Sequence, residues 1–197
     1  ARGLPVMGDD DNHHAEIWYE DCRVPVTNRI GPEGLGFVIA QERLGPGRIH
    51  HCMRWLGVAQ RAFEMMCRYA NEREMFGSTL AHKANIQDWI ADARADIHAA
   101  RLMTLHAAWA IDTAGASGAR EEIALIKCFG ARVLHSVVDK AIQVFGAAGV
   151  TEDHPLSTFY RQARLARLYD GPDEVHKMVV ARRILARYAG TRASKVD

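Results

Sequence analysis

The 197-residue sequence has no uninterrupted apolar run near the ~18 residues that a bilayer-spanning helix needs. Its first residues, ARGLPVMGDDD, lack the apolar centre of a signal peptide. Cysteine is scarce. Cys22, Cys52, Cys67 and Cys128 include no C-x-x-C pair and match no zinc framework, so reduced thiols in a cytosolic-type compartment are expected. An excess of either charge is also missing: 25 Lys and Arg face 24 Asp and Glu, a net charge of +1. Such a balance argues against a protein that coats nucleic acid or an anionic membrane. Sixteen glycines and six prolines are too few for a linker or low-complexity chain. What is present is an ordinary globular mix, 48% hydrophobic and 25% charged, which excludes wholesale disorder. The length suits one domain, or one domain plus a fragment.

Residues 1–30 differ from the rest. Pro5, Pro25, the run Asp9-Asp10-Asp11 and the pair His13-His14 interrupt any helical pattern. The stretch AEIWYEDCRVPV (15–26) carries strand formers without a visible partner strand, so it reads as the torn edge of a missing sheet or a loose arm. From Gly34 the pattern is helical. A short helix over 35–44 is expected to stop at Gly45-Pro46-Gly47. A second, over 47–72, carries Ile49, Met53, Leu56, Ala59, Phe63, Met66 and Ala70 at steps of three and four. A third, over 83–114, carries Ile86, Ile90, Ala93, Ile97, Ala100, Thr104, Ala107 and Ile111 and ends at Gly115. The fourth, over 119–145, has a stripe of Ile123, Ile126, Gly130, Val133, Val137, Ala141 and Val144. Leu125, Phe129 and Leu134 widen it enough to predict burial on more than one side. A helix opening at Pro155 and a last one over 172–189 complete an all-α antiparallel bundle.

Three segments carry candidate chemistry. In Leu168-Tyr169-Asp170-Gly171-Pro172-Asp173-Glu174-Val175-His176, a carboxylate sits at a helix–helix break beside an aromatic ring. It reads as a helix cap, with Asp170 or Gly171 at the N-cap and Pro172 in the first turn, or as a general base held between helices. In Asn71-Glu72-Arg73-Glu74-Met75-Phe76-Gly77, the arginine either caps its own helix beside a core phenylalanine, or makes a forked contact to phosphate while Phe76 covers a flat ring. In Gln143-Val144-Phe145-Gly146-Ala147-Ala148-Gly149-Val150, small residues either end a helix or let a ligand approach the backbone. The run Arg161, Arg164, Arg167 and the set Arg182, Arg183, Arg187 read as solvated faces or partners of acidic residues. Adjacent histidines such as His50-His51 diverge by about 100° on a helix, which makes them poor joint metal ligands, and no metal site is expected.

The order and spacing of these segments is more specific than any one of them. Arg73-x-x-Phe76-Gly77, Gln143-x-x-Gly146-x-x-Gly149, Tyr160-Arg161-x-Ala163-Arg164, Tyr169-Asp170-Gly171 and Ala181-Arg182 together resemble the C-terminal half of the acyl-CoA dehydrogenases. Glu20-Asp21-Cys22-Arg23-Val24-Pro25 followed by Gly34-x-Gly36-Phe37 resembles the exit from that family's middle β-domain. The resemblance implies residues 1–32 as the tail of a β-domain and 33–197 as a C-terminal four-helix bundle. It implies FAD as cofactor, an acyl-CoA substrate, an electron-transferring flavoprotein as acceptor, and a homotetramer built as a dimer of dimers. A cytoplasmic location, or a mitochondrial or peroxisomal matrix in a eukaryote, goes with it.

By the same resemblance, Asp170 falls where most of the family carries its catalytic glutamate. Arg73 and Phe76 match residues at the FAD pyrophosphate, commonly across a subunit boundary. Gln143, Gly146 and Ala147 match the loop near the adenosine half, and Glu174 a polar position of the cofactor segment. Arg48, Tyr169 and Gly171 fall on the substrate side. Aspartate is one methylene shorter than glutamate, Pro172 replaces a usual threonine, and Ala147 a usual glycine. The string Asp-Gly-Pro-Asp-Glu-Val-His resembles a divergent branch in which aspartate is the normal residue. The rival reading is a catalytically silent helical bundle used for assembly or binding.

Overall fold

The computed structural model describes residues 1–7 and 14–189; His13 lies outside the described residues. The N-terminal stretch holds a two-residue antiparallel pair, β1 (Arg2–Gly3) with β2 (Ala15–Glu16), braced by an Arg2–Glu16 ion pair at 2.9 Å. Ala15–Glu16 therefore has a partner, contrary to the expectation of an unpaired strand. The rest of 15–26 forms no strand and leaves Ile17, Trp18, Tyr19, Val24 and Val26 exposed.

Five α-helices dominate the rest of the described residues: α1 (Gly36–Glu72), α2 (Ala84–Gly118), α3 (Arg120–Phe145), α4 (Leu156–Ala166) and α5 (Asp173–Tyr188). The break expected at Gly45-Pro46-Gly47 does not occur, and α1 runs through Pro46. Proline removes one helical hydrogen bond and crowds the carbonyl four residues back. Packing offsets that loss here: Gly45 is buried so closely on the α2–α3 turn that a Cβ would stand 3.1 Å from the Ala116 Cβ. In α2 the regular helix ends where expected. Gly115 has φ 71° and ψ 168°, and one further turn leads to Ala119. Helices α1, α2 and α3 pack on one another through short connections, which forces consecutive helices to run antiparallel. The shorter α4 and α5 close the bundle against α3.

The stripe of α3 is buried throughout, with Ile123, Ile126, Val133, Val137, Ala141 and Val144 in the core. Leu134 is buried too, Phe129 packs partly buried, and Leu125 points outward. The segment Arg120–Val150 is apolar and long enough to cross a membrane by composition. Its place between α1, α2, α4 and α5 accounts for that composition, because a central helix keeps only a narrow solvent strip where polar residues can stand, here at Leu125, Arg132, Asp139 and Gln143. On α2 the buried side chains are small (Ala93, Ala100, Ala107), which lets the backbones approach closely around Ile97. On α1, Leu56, Ala59, Met66 and Ala70 are buried as the periodicity predicts, but Met53 is exposed, and Cys52, Trp55 and Ala62 face the core with them. Burial pushes the Cys52 thiol up to about 12, so it serves as a small core side chain.

Candidate active site

The turn between α4 and α5 is built around two consecutive residues of positive φ, Asp170 at 55° and Gly171 at 101°. Aspartate tolerates this region better than most side chains. A Cβ on Gly171 would stand 2.7 Å from His176 Nε2, so only glycine fits there. Three side chains hold the turn. Arg48 Nε donates to the Asp170 carbonyl at 2.9 Å, and His176 Nε2 donates to the same oxygen at 3.1 Å. Lys127, 0% exposed, donates its ammonium to the carbonyls of Ala166 at 2.7 Å and Gly171 at 3.1 Å. That ammonium also lies over the rings of Trp55 (5.2 Å) and Tyr169 (5.7 Å), and Trp55 Nε1 donates to the Tyr169 hydroxyl at 2.7 Å.

The expected cap geometry is not adopted. Pro172 is the N-cap of α5, no side chain caps it, and the Asp170 carboxylate turns back towards α1. There Asp170 Oδ2 lies 3.0 Å from His51 Nε2, with the Asp170 side chain 20% exposed. Asp173 and Glu174 do fall in the acidic first turn of α5. Asp173 is buried and takes Arg167 Nε at 2.7 Å, whereas Glu174 is exposed. Burial lowers the pKa of His51, with Asp170 opposing and Arg54 adding to the effect. Burial likewise lowers Lys127, against the pull of Asp173, and His176, against its bond to the Asp170 carbonyl.

Asp170, Gly171 and His176 border a cleft of about 720 Å³ between the start of α1, the α2–α3 turn and α5. Its walls are largely apolar, from Phe37, Val38, Leu44, Ile123 and Val179, with Arg48 and Arg120 as its cations. Tyr169 faces a separate, smaller cavity of about 280 Å³ with Trp55 and Phe159.

A third cleft, of about 540 Å³, lies at the other end of α1. It gathers Arg73, Gln143, Gly146 and Ala147 between walls from Tyr69 and Trp89. Gly146 has φ 61° and is the C-cap of α3, as the helix-end reading expects, and beyond its chain neighbours no atom lies within 4 Å of where its Cβ would stand. Arg73 closes α1 by its backbone N–H to the Tyr69 carbonyl at 2.9 Å. Phe76 is not core. It sits with Gly77 at the tip of the hairpin β3 (Glu74–Met75) and β4 (Ser78–Thr79), both with positive φ, and is 92% exposed.

The structure thus divides the sequence candidates. Asp170, Gly171 and Arg48 meet at one end, with Tyr169 and Glu174 beside them. Arg73, Gln143, Gly146 and Ala147 meet at the other, with Phe76 on the adjoining hairpin. Arg48 and Arg73 are 25 residues apart on α1, about 37 Å at 1.5 Å per residue. His51 and Lys127 were missed. A lysine inside the apolar stripe of α3 was a visible signal for Lys127, but nothing local marked His51. The arginines taken for ion-pair partners include Arg161 with Glu152, Arg167 with Asp173 and Arg187 with Glu121.

The family model for the acyl-CoA dehydrogenase C-terminal domain matches residues 34–185. Over its whole length the chain is 50% identical to FadE2 of Mycobacterium tuberculosis, named a probable acyl-CoA dehydrogenase, and covers 48% of that protein. It is 47% identical to human acyl-CoA dehydrogenase family member 11, with 99% of this chain and 25% of that protein aligned. Among solved structures, butyryl-CoA dehydrogenase from Megasphaera elsdenii is 32% identical with a TM-score of 0.78, over 85% of this chain and 43% of that one. The chain spans half or less of the length of these relatives. On the family match and the shared bundle, it belongs to the acyl-CoA dehydrogenase family and carries that family's C-terminal helical domain.

Proposed function

We propose that this chain is the C-terminal part of an FAD-dependent enzyme that places an α,β double bond in an acyl-CoA thioester, with Asp170 as the base for the α-proton. The observation that carries the reading is the placement of Asp170. Its backbone is fixed by Arg48 and His176 at the edge of a largely apolar cleft of about 720 Å³. An apolar wall excludes water from a carbanion-forming step and suits an acyl chain.

The residues of the second cleft fit FAD. Arg73 offers a guanidinium for the pyrophosphate, and Gly146 leaves its backbone open to close approach. Gln143 and Ala147 stand beside it, Phe76 presents a bare ring from the hairpin tip, and Glu174 adds a polar group at the Asp170 end. The chemistry that FAD supplies when bound is acceptance of a hydride from the β-carbon. The chain's own part is to receive the α-proton on the Asp170 carboxylate, to hold that turn through Arg48, His176 and Lys127, and to keep the cleft dry.

The separation of the two clusters supports assembly from several copies, since one chain's Arg73 cluster is remote from its own Asp170. A homotetramer made of two dimers is the proposed state. Residues 1–32 are assigned to the end of a β-domain and 33–197 to the bundle; the exposed Trp18, Tyr19 and Val24 fit a segment whose packing partner lies elsewhere in the protein. An electron-transferring flavoprotein is the proposed acceptor.

Asp170→Asn in the full-length protein is the test. The variant is expected to purify with its flavin, yet not bleach on addition of an acyl-CoA. Normal bleaching and turnover in that variant place the base elsewhere. A full-length wild type that stays colourless after reconstitution with FAD removes the enzyme reading and leaves the silent bundle.

A further inference from the structure

Asp170 is not free to rotate: one of its two carboxylate oxygens is already engaged. His51 Nε2 lies 3.0 Å from Oδ2, and the other ring nitrogen, Nδ1, lies 2.8 Å from Arg54 NH2. A guanidinium can only donate hydrogen bonds, so Nδ1 must accept. The ring proton then sits on Nε2, which donates to Asp170. The ring itself is held, stacked on Trp55 at 20° with centroids 6.2 Å apart and edge-on to Tyr169 at 5.3 Å. Oδ1 has no hydrogen-bond partner among the described residues.

We infer that His51 is a positioning residue for Asp170: its Nε2–H, with the tautomer set by Arg54, holds Oδ2 and leaves Oδ1 as the oxygen that meets the substrate proton. The inference rests on the reading of Asp170 as the base. It also answers a difficulty of that reading. A short carboxylate that must reach a fixed C–H bond gains most from a fixed torsion, because misplacement by about an ångström can cost roughly a hundredfold in rate. The charged and titratable groups around the pair are Arg54 and His50 from α1, Lys127 from α3, Arg48 from α1, and His176 from α5.

The test compares wild type, Asp170→Asn, His51→Leu and His51→Gln in the full-length, flavin-loaded protein. The substrate is whichever of butyryl-, octanoyl- and palmitoyl-CoA the wild type uses fastest. A hydrogen bond to a charged group corresponds to about a ten- to hundredfold effect, and that loss of kcat/KM is expected for His51→Leu with flavin content unchanged. His51→Gln, whose side-chain amide can donate from a similar place, recovers most of the rate. A His51→Leu variant with wild-type kcat/KM, or a loss that His51→Gln does not recover, overturns the inference. If Asp170→Asn is dead in that same experiment, only the role of His51 falls; if Asp170→Asn turns over normally, the base reading itself falls. Should His51→Leu shed its flavin, His51→Asn, polar but too short to reach, carries the comparison: a loss restored in His51→Gln supports the role, and wild-type kinetics refute it.

Discussion

Replacing Lys127 probes the support of the whole site. Its ammonium is fully buried and bonds the carbonyls of Ala166 and Gly171 at 2.7 and 3.1 Å, tying α3 to both ends of the turn that presents Asp170. In Lys127→Met the side-chain volume is nearly kept and a buried charge is removed, which is favourable in isolation. One buried and one partly buried carbonyl lose their donor, at about 1–3 kcal/mol each. Setting the relief of desolvation against that loss leaves a net destabilisation of about 1–3 kcal/mol. Lys127→Ala adds a cavity beneath Trp55 and Tyr169, for about 3–5 kcal/mol in all. The pH dependence is a second signature. Burial lowers the Lys127 pKa. Between that lowered value and about pH 10.4 the unfolded chain binds the extra proton, so wild-type stability gains from this residue as the pH rises through the window. The deficit of Lys127→Met is therefore larger at pH 10 than at pH 7. Parallel urea titrations of the full-length variants, followed by flavin fluorescence and far-UV ellipticity, measure both effects. Equal midpoints for wild type and Lys127→Met at both pH values would refute the claim that Lys127 ties the turn to the core.

Three shorter predictions address the rest of the molecule. Gly171→Ala adds a Cβ 2.7 Å from His176 Nε2 at a φ of 101°, and is expected to cost about 1–3 kcal/mol of stability, read as a lower denaturation midpoint together with impaired turnover. Phe76→Ala removes a 92% exposed ring and should leave the thermal midpoint within about a degree of wild type; its effect is expected in flavin retention during gel filtration. Burial keeps His51 and His176 neutral where an unfolded histidine is protonated. Stability is therefore full above about pH 6.5 and declines as the pH falls from there towards their lowered folded values; urea midpoints at successive pH values test this, and His176→Gln should flatten the decline.

The sequence by itself determined where the helical segments lie, because a one-sided apolar stripe at a period of 3.6 is a local property of each segment. It also marked the separate pieces of chemistry: Asp170 beside an aromatic at a helix break, Arg73 at a helix end, and small residues at Gly146. Packing decided the remainder. Pro46 reads as a break in the sequence, yet the close contact of Gly45 with Ala116 carries α1 through it. Phe76 reads as core by residue type, yet a tight hairpin turn lifts it into solvent. The partner of Asp170 was the least legible feature. His51 stands 119 positions earlier in the chain, and no local pattern distinguishes it from exposed His50. Which ring nitrogen meets which oxygen is fixed only when α1, α3 and the α4–α5 turn pack together, since hydrogen bonds depend on positions in space and helical periodicity reports only the face on which a side chain lies.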